Sequence, residues 1–151
     1  MKKVISFVNA VVMLVLCVFL MAACSDMNIS QNDEEFCIVI HQDTESAIYG
    51  VHCEYYLEDT PIGGTEAMIM ENGNVIPIEP GGTIRFPFIK QGFPENADLS
   101  ALLVKIYVIH QSGNETKTEN DIELSADYGN EYDFSLSGSI SDYYISEMQT
   151  G

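Results

Sequence analysis

Three histidines, two adjacent tyrosine pairs and several close-set carboxylates are the residues of this 151-residue chain with chemistry to offer. The histidines are His41, His52 and His110. None stands in an H-x-H or HExxH spacing, so the sequence holds no ready pair of zinc ligands. Carboxylates gather at Glu58-Asp59 and at Glu119, Asp121 and Glu123. Alternation along a strand would put the last three on one face, where a hard cation such as Ca²⁺ could bridge them. They come without an EF-hand loop, and the same three residues equally make an ordinary solvated face. In Tyr55-Tyr56 and Tyr143-Tyr144, strand alternation turns one ring of each pair outward. Outward rings can stack on sugars or on partner side chains, although half-buried sheet tyrosines often do neither. Serines are plentiful, but no G-x-S-x-G elbow accompanies them. Carboxylate pairs are too common here to imply glycoside hydrolysis. The expectation is a non-catalytic domain without a cofactor or a metal centre. Its weak candidates for Ca²⁺ are Glu119, Asp121 and Glu123, and for a ligand Tyr55, Tyr56, Tyr143 and Tyr144.

The strands that would position these groups show as short apolar or alternating runs. They are 35–42, 47–57, 66–70, 75–78, 83–89, 102–110, 116–124, 131–137 and 142–147. Asn72-Gly73 suits a type I′ turn, which needs positive φ at both centres. Pro87 cannot donate to a ladder, which points to an edge strand or to a position whose N–H faces outward. Leu102 to His110 is apolar on both faces and reads as a central strand. No long stretch has helical periodicity. A hairpin centred on Glu45 would set Cys37 opposite Cys53, Val39 opposite Val51 and His41 opposite Tyr49. Directly opposed residues have Cα atoms about 4.5–5.5 Å apart, within disulfide range. Such a bond would contribute roughly 3 kcal/mol; two buried free thiols are the alternative. In that register His41 and His52 point to opposite faces and cannot share a metal.

The N-terminus carries the most specific signal. Lys2 and Lys3 precede an apolar stretch from Val4 to Ala23 that contains Cys17, and Leu20-Met21-Ala22-Ala23-Cys24 closes it. This resembles the signal peptide and lipobox of bacterial lipoproteins, with Met21 where Leu is commoner. The resemblance implies cleavage before Cys24 and lipid on its thiol, with residues 1–23 as signal peptide, 24–35 as a polar tether and 36–148 as the domain. It also implies anchoring in the cell membrane or outer membrane, facing outside the cytoplasm. Soluble secretion after an A-x-A-like cut, or an uncleaved helix of about 20 residues, are the competing readings.

All 23 acidic residues follow Cys24, and two of the six basic residues precede it. The remaining four, Arg85, Lys90, Lys105 and Lys117, make no basic face for phosphate, which argues against nucleic-acid binding. Anionic headgroups would repel such a domain, so the lipid is the membrane attachment. Regularly spaced short strands predict an all-β sandwich or barrel. The run Asp127-Tyr128-Gly129-Asn130-Glu131-Tyr132 resembles the corner before the F strand of immunoglobulin-like domains, one residue longer than usual. That resemblance implies an antiparallel immunoglobulin-like β-sandwich following the hydrophobic signal helix. The functional expectation is a lipid-anchored extracytoplasmic binding or structural module with an unidentified protein or glycan partner. A carbohydrate- or Ca²⁺-binding accessory module is the second reading and a hydrolase the third.

Overall fold

The computed structural model describes residues 33–148. The expected signal peptide, Cys17, Cys24 and the expected tether as far as residue 32 lie outside the described residues. The domain is all-β, with strands β1 (Glu35–Thr44), β2 (Gly50–Leu57), β3 (Thr60–Ala67), β4 (Ile69–Glu71), β5 (Asn74–Ile76) and β6 (Thr83–Ile89) in its first half. The second half holds β7 (Leu102–Ile109), β8 (Glu115–Lys117), β9 (Ile122–Leu124), β10 (Glu131–Ser139) and β11 (Asp142–Glu147). Two single 3-10 turns, Lys90–Gly92 and Leu99–Ala101, lie between β6 and β7. The domain takes up the chain earlier than residue 36, since the Glu34 carbonyl accepts from the Lys90 N–H at 2.8 Å.

Two sheets enclose one core. The first runs β11-β10-β1-β6; the second runs β3-β2-β7-β8, with β9 also on β7. Period-two alternation supplies the core from both. From the first sheet Phe36, Ile38, Ile40, Phe86 and Leu136 point inward, and from the second Val51, Cys53, Val104, Ile106 and Val108. Strand β4 pairs only with β5, through a turn at Asn72-Gly73 with φ of 50° and 82°. Pro87 lies on β6, at the sheet edge where its missing N–H costs nothing. Strand β7 is central, as its two-sided apolarity requires.

The expected β1–β2 hairpin does not form. Strand β1 pairs parallel with β10 and antiparallel with β6, while β2 pairs with β3 and β7 in the other sheet. The reason lies in the connection. Gln42 and Thr44 continue the inward parity of Ile38 and Ile40 and are buried. The Gln42 amide donates to Thr44 Oγ1 at 2.8 Å and to the Ser46 carbonyl at 3.0 Å, and the Thr44 hydroxyl donates to that carbonyl at 2.6 Å. These bonds hold a crossover between sheets where a reversal was expected.

The predicted disulfide falls with the hairpin. Cys53 points into the core from β2, whereas Cys37 has outward parity on β1, so the first sheet stands between them. Both are free thiols. Burial pushes the Cys53 thiol up to about 12 and raises that of Cys37 more weakly. Because the thiolate is the nucleophile, Cys53 should resist alkylation until the protein unfolds, and Cys37 should react slowly. A Cys37–Cys53 cross-linked peptide in non-reducing mass spectrometry would overturn this strand assignment.

The Tyr132 hydroxyl accepts from the Asp127 N–H at 2.8 Å and reaches the Ser125 carbonyl at 3.4 Å, tying the approach to β10. The predicted strand 116–124 is instead two short strands, interrupted at Thr118. That side chain is buried and donates to the Asn120 carbonyl at 2.7 Å.

Candidate functional site

The outer face of the second sheet carries a connected group of polar and aromatic side chains. On β2, inward Val51, Cys53 and Tyr55 alternate with outward His52, Glu54 and Tyr56. Register places Glu66 of β3 and Tyr107 of β7 on either side of His52, and Lys105 beside Glu54. Lys117 of β8 stands beside Tyr107, and Glu115 lies two residues earlier on the same strand.

Glu54 is the hub. Its Oε2 accepts from the Tyr56 hydroxyl at 2.8 Å and from the Tyr107 hydroxyl at 3.0 Å. Those two bonds, Tyr56 first, hold its carboxyl below the usual carboxylate range. Conversely the Tyr107 phenol is pushed up to about 12, by burial first and then by the Glu54 bond and charge. Lys105 Nζ sits 4.1 Å from the Tyr56 ring centroid, a cation–π distance. The His52 imidazole stacks on Tyr107, with centroids 5.3 Å apart and planes 24° apart. Its Nδ1 is 3.2 Å from Glu115 Oε2.

Across β2, the face is open because Gly64 lacks a side chain. A Cβ there would come 3.3 Å from His52 Nε2. Gly63 makes the corresponding room inside, where a Cβ would stand 2.5 Å from the Tyr55 hydroxyl. The Pro-Ile-Gly-Gly run therefore looks like a loop in sequence yet forms an edge strand shaped to its neighbour's rings.

Among the described residues, His52, Glu66 and Glu115 are the one group of three potential metal ligands whose atoms lie within 4.8 Å of one another. Sequence reasoning missed it. Residues this far apart meet only through register, and Glu66 and Glu115 carry no motif.

The residues singled out from sequence are dispersed. Glu119, Asp121 and Glu123 do not converge: Asp121 pairs with Lys117, and the break at Thr118 to Asn120 separates Glu119 from β9. Tyr55 and Tyr143 turn inward, Tyr55 edge-on to Phe88 and Tyr143 buried. Tyr56 and Tyr144 face outward from opposite sheets, so the four tyrosines form no common platform. His41 pairs with Asp133 at 2.7 Å on the first sheet's outer face. His110 bonds Thr116 Oγ1 at 2.8 Å and stacks on Tyr143, beside a cleft of ≈ 550 Å³ that also borders Tyr49 and Ile140. No helix among the described residues is long and apolar enough to cross a membrane.

No protein family matches this sequence, and no curated protein does. Among solved structures the chain is similar to a non-hemolytic pneumolysin from Streptococcus pneumoniae strain ST306, with TM-score 0.37 and 10% identity, over 78% of this chain and 24% of that one. Listeriolysin O gives TM-score 0.35 and 11% identity, over 78% and 23%. The isolated membrane-binding domain of pneumolysin gives TM-score 0.36 and 10% identity, over 78% and 98%. The chain thus spans about a quarter of the full-length toxins it resembles. Likeness this slight assigns neither fold nor function.

Proposed function

We propose that this protein is a lipid-anchored extracytoplasmic lipoprotein whose β-domain binds a partner without catalysis, through the outer face of the β3-β2-β7-β8 sheet. The observation that carries the reading is the array centred on Glu54. One carboxylate orders Tyr56 and Tyr107, Tyr107 carries His52, and Lys105 covers Tyr56. Side chains already ordered lose less entropy when a partner lands, and tyrosine is a favoured interface anchor. The face also presents Glu66, Glu115 and Glu123 against Lys105 and Lys117, which fits a protein partner with a basic surface. The lipid anchor rests on the Leu20 to Cys24 run. The immunoglobulin-like reading rests on the Tyr132 corner alone. The strand order, with β1 and β2 in opposite sheets, differs from the constant-type immunoglobulin order, in which the first two strands share a sheet.

Two measurements test the halves separately. Cys24→Ser should abolish lipid labelling and release the protein, and unchanged membrane retention would defeat the anchor. A photo-reactive residue in place of Leu103, on the proposed face, should capture a partner on intact cells. One in place of Tyr144, on the opposite sheet, should not; equal capture from both would defeat the choice of face.

A further inference from the structure

We propose that His52, Glu66 and Glu115 form a surface site for one divalent first-row transition-metal ion, with Zn²⁺ the best-matched class. The inference does not depend on the lipid anchor or on the binding partner.

The geometry is close to what an ion requires. Tetrahedral zinc ligands at roughly 2.0–2.2 Å from the metal stand about 3.3–3.6 Å from one another. His52 and Glu115 are already close to that spacing at 3.2 Å. All three ligand atoms lie within 4.8 Å, and both glutamates are exposed, so a rotamer adjustment closes the remainder. Each ligand comes from a different strand of one sheet: His52 from β2, Glu66 from β3 and Glu115 from β8. Ladder hydrogen bonds therefore fix the three backbone positions before any ion arrives.

The surroundings supply the support a metal site needs. Tyr107 stacks on the imidazole and holds its plane, and Glu54 in turn holds the Tyr107 hydroxyl. Gly64 leaves the neighbouring edge of the ring uncovered.

A simple His52–Glu115 ion pair explains two of the three groups. It leaves Glu66, whose carboxylate lies within 4.8 Å of the other two ligand atoms, without a paired cation among the described residues. Of the lysines on this face, Lys117 is paired with Asp121 and Lys105 lies over Tyr56. Two carboxylates and the lone pair of an imidazole nitrogen make a donor set that a divalent cation balances. The donor set selects among such ions. Ca²⁺ takes about six to eight oxygen ligands, whereas imidazole with carboxylate suits zinc and its neighbours. Three protein ligands leave a coordination position free for water or for a group from a partner.

The test is titration of the full chain, in detergent, with Zn²⁺ by calorimetry and with Co²⁺ by visible absorption. Saturable binding of one Zn²⁺ per chain is expected, with a rise in thermal midpoint because only the folded sheet assembles the site. Removing a ligand should cost at least what removing a supporting residue does, so His52→Ala, Glu66→Gln and Glu115→Gln should each weaken binding by about tenfold or more. His41→Ala, on the other sheet, should change nothing. Glu66 and Glu115 are exposed and His52 is half-buried, and urea unfolding without metal verifies that each variant folds. Absence of saturable Zn²⁺ binding would overturn the proposal. So would Zn²⁺ binding that survives His52→Ala, or that is lost equally in His41→Ala.

Discussion

Phe36→Ala is expected to remove about 3–5 kcal/mol of stability, the usual cost of deleting a buried phenylalanine. Phe36 is 1% exposed. It stacks on Phe88 with centroids 4.9 Å apart and touches the rings of Phe93, Tyr128 and Tyr132. It thereby joins β1, β6 and β10 to the loop before β7. Neighbours drawn from so many separate segments cannot all collapse into the space left behind, so most of the cavity cost should remain. Set against a domain stability of about 5–15 kcal/mol, one substitution takes a large share. Urea unfolding should show a lower midpoint at unchanged slope. Ile89→Ala, in the same sheet but 51% exposed, should shift stability by no more than about 0.5 kcal/mol. Equal effects of the two substitutions would mean that β1 is not at the centre of this sheet.

Gly138→Ala should strike the β10–β11 turn. Gly138 has φ +101°, and a Cβ there would stand 2.1 Å from the Asp142 carbonyl oxygen and 3.1 Å from its carbon. The unfavourable backbone conformation alone costs about 1–3 kcal/mol. The clash adds to it, because the obstructing atoms are backbone and cannot swing away. Gly73 provides the comparison. Its φ is +82°, yet nothing lies within 4 Å of an added Cβ, so Gly73→Ala should cost only the conformational part, about 1–2 kcal/mol. Gly138 pairs with Tyr143, and Tyr143 and Ile145 are the buried residues of β11. Hydrogen exchange should therefore quicken across Asp142–Glu147 in Gly138→Ala and not in Gly73→Ala. Equal destabilisation of the two variants would remove the steric argument.

Local chemistry was legible wherever it acts within a single strand or turn. Asn72-Gly73 specified its turn because few residues other than glycine and asparagine tolerate positive φ there. Pro87 narrowed its strand to an edge or an outward N–H because it has no N–H to give, and β6 is at the edge. Leu102 to Ile109 specified a central strand because both of its faces are apolar. Strand β3 was not legible, because Pro61, Gly63 and Gly64 are turn formers until it is known that Tyr55 and His52 occupy the room those glycines leave.

Pairing was the point at which sequence reasoning failed. A period of two gives a strand its inner and outer faces but does not name its neighbour. The spacing of Cys37 and Cys53 fits a hairpin as well as it fits two strands in opposite sheets. The parity of Gln42 and Thr44 was the available clue, since polar side chains on an inward face need partners that an open turn does not supply.

The sequence by itself determined an acidic, all-β domain, with its alternating core residues and its tight turns. These follow from composition, from the period of the strand and from allowed backbone angles, all of which are local. Only the tertiary structure decided that β1 crosses to the other sheet, that the two cysteines face different sides of the first sheet, and that residues 52, 66 and 115 share one patch. Those outcomes depend on cross-strand register, which is set by the burial of all the strands together and is written in no single segment.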